Sequence, residues 1–283
     1  MNNSLTTLIC NDAGASNQLY HYIKNENLRV DNFILSGPAK KIFNKKKILL
    51  DDIVQILERT NILITGTSWQ SNVEHEARML AKERKIYSIA AIDHWVNYKN
   101  RFFIEGKSSL PDEIWVFDEL AYKKACKEFK EIKISKKHSH YLDHSLVKIK
   151  ETDFSSKKLL YVLEPYRNNW GKEELGEFQA FKYFLNNINK LELPEDLEIL
   201  IKPHPSDQKG KYQSFLNISS KYKIQICNND LDRCISECRW VVGCETYAMY
   251  VALKANRTVY CSLPPWGPNC SLPHKEIVHI KSL

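Results

Sequence analysis

Lys202-Pro203-His204-Pro205 follows the apolar run 197–201 and precedes Ser206 and Asp207. Serine and aspartate are good helix N-caps, so the pattern predicts a strand, a basic turn and a new helix. An ammonium and an imidazole at the mouth of a helix suit a phosphate, because the helix N-terminus adds free N–H groups and partial positive charge. The same four residues also make an ordinary strand-to-loop turn. Two other loops offer related chemistry. In 164–171, Glu164 is followed by Arg167, whose guanidinium can fork onto a phosphate; it is equally a surface arginine in a turn. In Gly243-Cys244-Glu245-Thr246, Gly243 permits close backbone approach and Glu245 can accept hydrogen bonds from ribose hydroxyls. Thr246 can cap the next helix and offer a hydroxyl to phosphate.

The first half carries a different set. Asp93-His94 ends an apolar run and is placed for base chemistry, with Trp95, Asn97, Tyr98 and Arg101 following. The rings of Trp95 and Tyr98 are expected to pack on a sugar. Asp12, in Asn11-Asp12-Ala13-Gly14, is the second candidate for the base. Thr67, Ser68 and Glu74 fall along the same edge. Asp12 and Asp93 are also ordinary turn or cap residues.

These residues need elements to hold them. Short apolar runs alternate with helical spacing along most of the chain, as at 5–10, 33–35, 62–64, 87–92 and 113–117. The pattern restarts at 159–163 and continues through 197–201, 224–227, 240–242 and 258–261. Helices are expected from about Ser16, over 51–59, 73–85, 172–189 and 230–238, and after Thr246. Alternation of this kind specifies parallel sheets covered by helices on both faces. The polar loops then fall beyond the carboxyl ends of the strands, where such sheets bind ligands. The segment 131–156, polar and basic, reads as an irregular connection between two halves, 1–145 and 157–283.

At 283 residues with 43% hydrophobic and 27% charged residues, the chain has the composition of a folded protein. No apolar run reaches the roughly 18–20 residues of a membrane span. The N-terminus lacks a basic region and a long apolar core, so no signal peptide is expected. The eight cysteines form no CxxC pair; Cys234 and Cys238 share a helix face, and all read as reduced core thiols of a cytoplasmic protein. Net charge is +7, with basic runs at Lys40, Lys41 and 45–47 and again from Lys123 to Lys137. The runs suit anionic partners: phosphorylated substrates, or an anionic inner membrane visited peripherally. Aromatics are not interleaved with them, which argues against nucleic acid.

On the Lys-Pro-His-Pro turn and the later Thr246, the second half resembles the donor-nucleotide domain of GT-B glycosyltransferases. It is similar to bacterial sialyltransferase-like, polysialyltransferase-like and capsule-type families with a His-Pro motif, and to CDP-glycerol transferases. The resemblance covers about 157–265. It implies an α/β fold of two Rossmann-like domains facing each other across a cleft. It also implies a metal-independent transferase moving a nonulosonic acid or Kdo-like sugar from a CMP-activated donor to a surface-glycan or lipid-linked acceptor, with no cofactor. Lys202, His204, Pro205, Arg167, Glu164, Gly243, Glu245 and Thr246 would hold the donor. The first half would bind the acceptor through Thr67, Ser68, Glu74, Asn97, Tyr98 and Arg101, with Asp93, His94 or Asp12 as base. The stretch also resembles UDP-N-acetylglucosamine 2-epimerases. Their His-Arg-x-x-Asn loop is echoed by Tyr166-Arg167-Asn168-Asn169, but their Ser-Gly-Gly-x-x-Glu loop is not matched at Gly243-Cys244-Glu245-Thr246. A catalytically silent nucleotide-sugar-binding partner is the remaining alternative.

Overall fold

The computed structural model describes residues 4–44, 53–68, 71–164, 168–204, 207–218 and 221–283. The chain divides into two compact units, Met1–Asp143 and His144–Leu283. The first contains β1 (Thr6–Cys10), α1 (Ala13–Asn25), β2 (Asn32–Leu35), α2 (Ala39–Phe43), α3 (Ile53–Leu57), β3 (Ile62–Thr65), α4 (Val73–Glu83) and β4 (Tyr87–Ala91). A small antiparallel pair follows, β5 (Phe103–Ile104) and β6 (Lys107–Ser108), then β7 (Glu113–Val116), α5 (Glu119–Glu128) and β8 (Lys133–Lys136). The division falls within α6 (His140–Lys148).

The main sheet of this unit runs β2-β1-β3-β4-β7-β8, every pair parallel. Its inner strands are apolar runs such as Thr-Thr-Leu-Ile-Cys, buried along their whole length because helices cover both faces. The edge strand β8 is Lys-Ile-Ser-Lys, with both lysines exposed. An edge needs no apolar run and is protected from pairing by charge. The segment expected to be an irregular connection is therefore a strand and a helix. Its basic run is also locally neutralised: Lys133 pairs with Glu113 at 2.9 Å, and Lys136 and Lys123 pair with Glu119 at 2.6 and 3.7 Å. Lys45–Lys47 lie outside the described residues.

The second unit contains β9 (Lys158–Val162), α7 (Gly176–Asn187), β10 (Glu198–Lys202), β11 (Lys223–Ile226), α8 (Leu231–Glu237), β12 (Trp240–Gly243), α9 (Tyr247–Lys254), β13 (Thr258–Cys261) and β14 (Val278–His279). Its parallel sheet is ordered β11-β10-β9-β12-β13-β14. Both units are thus Rossmann-like. In the first, the strand order reverses between β1 and β3; in the second, between β9 and β12. Such switch points are where open parallel sheets bind ligands.

Two expectations are corrected here. No α-helix begins after Lys-Pro-His-Pro; among the described residues the chain makes turns and then a 3₁₀ segment, Gln213–Asn217. The Asp207 carboxylate is spent elsewhere: it accepts from the His204 N–H at 2.9 Å and the Tyr212 hydroxyl at 3.0 Å, and it pairs with Lys211. The cysteines are not all reduced either. Cys227 and Cys234 form a disulfide, their Cα atoms 6.8 Å apart, joining the end of β11 to α8; six others are free thiols. Among the described residues no helix is long and apolar enough to cross a membrane.

Gly243 ends β12 at the switch point. A Cβ there would stand 2.7 Å from Val162 Cγ2, 2.9 Å from Met249 Sδ and 3.1 Å from the Val162 carbonyl. The missing side chain makes room for β9 and α9. Gly243→Ala should destabilise the protein by roughly 1–3 kcal/mol through overpacking. An unchanged midpoint in urea unfolding would show that the neighbours move aside freely.

Candidate functional site

Two polar clusters lie at the two switch points, one in each unit. In the first, the ends of β1 and β3 part company, and a buried carboxylate joins them. Glu74, in the first turn of α4 and fully buried, accepts the Asn11 N–H at 2.9 Å and the Ser68 N–H at 2.5 Å. Arg78, one turn further along α4, is equally buried. It donates to Thr65 Oγ1 and the Gly66 carbonyl at 2.9 Å each and to the Ser109 carbonyl at 3.0 Å. Burial brings its guanidinium down to about 10, so it stays cationic at neutral pH beside Glu74. Burial raises Glu74, opposed by Arg78 and by the two N–H donors.

Asp12 caps α1, its Oδ1 accepting the Ala15 N–H at 2.8 Å. Burial, and then the charges of Asp93 and Glu74, push its carboxyl well above the usual range. Asp93 follows β4 and pairs with Arg101 at 3.1 Å. Its Oδ2 lies 1.7 Å from where a Cβ on Gly14 would stand, so only glycine lets this carboxylate rest against the first turn of α1. Arg101 is aimed by Thr67, whose Oγ1 and carbonyl accept from it at 2.9 and 3.3 Å, and by the Val96 carbonyl. The cluster therefore combines a carboxyl driven toward its protonated form, Asp12, with a carboxylate balanced by a guanidinium, Asp93. Such a pair can donate one proton and accept another.

The second cluster lies beyond β9 and β12. The Glu245 N–H donates to Glu164 Oε2 at 3.1 Å, and Glu245 Oε2 accepts the Ser271 N–H at 2.9 Å. Burial, and then the Glu245 charge, raise Glu164 to about 8. Thr246 caps α9 through Ala248 N–H. On the other side of β9, Lys202 Nζ donates to the Asn229 carbonyl. Burial lowers the His204 imidazole, favouring its neutral form. The His204 turn is held to α7 by Lys211, which pairs with Glu177 at 2.6 Å and with Asp207 at 2.9 Å.

The candidates named from sequence separate into three kinds. Asp12, Asp93 and Arg101 come together in the first unit; Glu164, Glu245 and Thr246 do so in the second. Thr67, Ser68 and Glu74 are almost wholly buried and bind the framework rather than facing outward. Trp95 and Tyr98, expected to pack on a sugar, are core residues only 1% and 3% exposed. Trp95 Nε1 donates to Asp118 at 2.9 Å, and Tyr98 stacks on Phe129. His94 lies edge-on to Trp95, and Asn97 is exposed with φ 56°. Arg167 and Pro205 lie outside the described residues. Sequence reasoning missed Arg78, which reads as a routine helical arginine until the helix is placed. It also missed Asn11, whose amide donates to Ser68 and accepts from Ser36.

No family model and no curated protein matches the sequence. Solved structures do match. UDP-GlcNAc 2-epimerase from Neisseria meningitidis bound to UDP-GlcNAc has TM-score 0.62 at 12% identity, over 90% of this chain and 82% of that one. UDP-GlcNAc 2-epimerase from Methanocaldococcus jannaschii has TM-score 0.61 at 16% identity, over 90% and 83%. Acinetobacter baumannii MurG has TM-score 0.53 at 8% identity, over 91% and 78%. At these identities the likeness establishes the fold, two Rossmann-like units of the GT-B kind. The expected CMP-sugar transferase is corrected by it, since the epimerases that match are named for a UDP-sugar.

Glu164 supplies a pH test. Its carboxyl lies above the ordinary 4.5, so the stability linked to its protonation is complete below about pH 4.5 and is lost as pH rises through about 8. Glu164→Gln keeps an acceptor for the Glu245 N–H and stays neutral. It should match wild type near pH 5 and exceed it by roughly 1–3 kcal/mol near pH 9 in urea unfolding. The same difference at both pH values would contradict this assignment.

Proposed function

We propose that this chain is an enzyme acting on a UDP-activated N-acetylhexosamine, changing the configuration at the sugar carbon beside the anomeric centre. The observation that carries this reading is the pairing of Asp12, pushed toward its protonated form, with the Arg101-balanced carboxylate of Asp93 at a switch point. Inverting the unactivated C–H centre beside the anomeric carbon requires a base that takes its proton while the C1–O bond to UDP breaks and carries off the electron pair, leaving a C1–C2 double bond; UDP then adds back at C1 as an acid returns a proton to the other face. Asp93 is assigned the accepting role and Asp12 the donating role. Arg101 holds Asp93 in place, and the Glu74–Arg78 pair holds the two loops. UDP recognition is assigned to the second unit: Thr246, Lys202, His204 and Arg167 toward the phosphates, Glu245 toward the ribose. The fold likeness to 2-epimerases and the Tyr166-Arg167-Asn168-Asn169 loop support the uridine choice.

The test is solvent exchange. In D2O, NMR of UDP-GlcNAc incubated with the enzyme should show deuterium at C2 together with the epimer. Asp93→Asn should slow this by about 100-fold or more, the scale of a lost general base, while leaving the thermal shift caused by UDP unchanged. UDP binding without exchange in the wild type would make the chain a binding module. Stabilisation by CMP and not by UDP would overturn the uridine assignment.

A further inference from the structure

A third cluster, away from the switch points, lies where α6 begins. His138 Nε2 is 2.5 Å from Asp143 Oδ2, and His140 Nε2 is 2.7 Å from Glu26 Oε1. The His138 and His140 rings meet edge to face, centroids 4.7 Å apart. Ligating atoms of His138, His140 and Asp143 all fall within 4.8 Å of one another. We propose that His138, His140 and Asp143 bind a divalent transition-metal ion of the zinc class, with Glu26 as fourth ligand.

Local structure builds the set. His140 and Asp143 are three apart in the first turn of α6 and so share a face. Ser139, between the histidines, is buried. Its hydroxyl donates to Gln18 Oε1 at 2.9 Å and accepts the Leu142 N–H at 3.3 Å, pinning the His-Ser-His segment to α1 and capping α6. Glu26 is the C-cap residue of α1, so the fourth ligand comes from the helix to which Ser139 is tied. Tetrahedral zinc with bonds of about 2.0–2.2 Å sets its ligand atoms roughly 3.4 Å apart. On binding, the ligand atoms of His138, His140 and Asp143, within 4.8 Å of one another, would close to that spacing, and Glu26 would turn from His140 to the ion, at a surface where His138 and Asp143 are exposed.

The donor chemistry selects the ion. Two imidazoles favour zinc, copper or nickel over magnesium and calcium, which prefer all-oxygen shells. Two neutral imidazoles and two carboxylates offset a 2+ charge. The ion takes the place of any proton shared within each His–carboxylate pair, and these protons leave to solvent. The ordinary alternative is two separate ion pairs with no affinity for metal.

Calorimetry decides between them, with zinc chloride titrated into tag-free full-length protein stripped with chelator. The proposal expects one ion per chain with micromolar affinity or better, and a tetrahedral visible spectrum when cobalt replaces zinc. His138→Ala and His140→Ala should each weaken binding by roughly tenfold or more, the scale of losing support at a metal site. Asp143→Asn should do likewise while keeping the helix N-terminus intact, so one arm survives if a histidine variant misfolds. Absence of binding heat at tens of micromolar zinc would overturn the site. So would binding that persists in His138→Ala/His140→Ala and disappears on thiol alkylation.

Discussion

The buried Glu74 carboxylate is the constraint on which the first unit's switch-point edge depends. At a switch point two neighbouring strands send their chains in opposite directions, which leaves unpaired N–H groups at their ends. Glu74 satisfies two of these, on Asn11 and Ser68, and so fixes the β1 and β3 loops to one another. Gly66 makes space for this, because a Cβ there would meet Glu74 Oε1 at 2.6 Å. A charge so deeply buried requires compensation, and Arg78 supplies it while spreading its own donors over Thr65, Gly66 and Ser109. Removing either partner would leave the other charged and buried.

Everything outward of that pair follows from it. The β1 loop places Asp12 as the cap of α1, and Gly14 allows Asp93 to approach. The β3 loop places Thr67, which aims Arg101 at Asp93. The framework carboxylate is thus distinct from Asp12 and Asp93, which are only partly buried. The second unit uses a simpler device at its own switch point, where Glu164 holds the backbone of the β12 loop directly and is itself raised by burial and by Glu245.

Parts of this were legible in the sequence because they depend on local pattern. The inner strands are continuous apolar runs, and their loops carry the polar residues, so both sheets and the positions of Asp12, Asp93, Glu164 and Glu245 could be read directly. Other parts were not. Trp95 and Tyr98 beside an Asp-His pair look like a sugar platform, but α5 covers them and turns both into core. Asp207 has the type and place of a helix cap, yet Lys211 and Tyr212 compete for its carboxylate and the helix does not form. Strand β8 was hidden because an exposed edge strand carries no apolar signature.

The sequence by itself determined the class of fold, two parallel α/β units, since the alternation of buried strands and amphipathic helices is a property of neighbouring residues. It also determined that acidic groups would gather at strand ends. Only the tertiary structure decided which of them are locked into the framework and which stay partly exposed at the strand ends. The approach of Asp93 to Gly14, the bond from Asn11 to Glu74 and the hold of Thr67 on Arg101 join residues dozens of positions apart. Their electrostatic consequences exist only once the strands lie side by side.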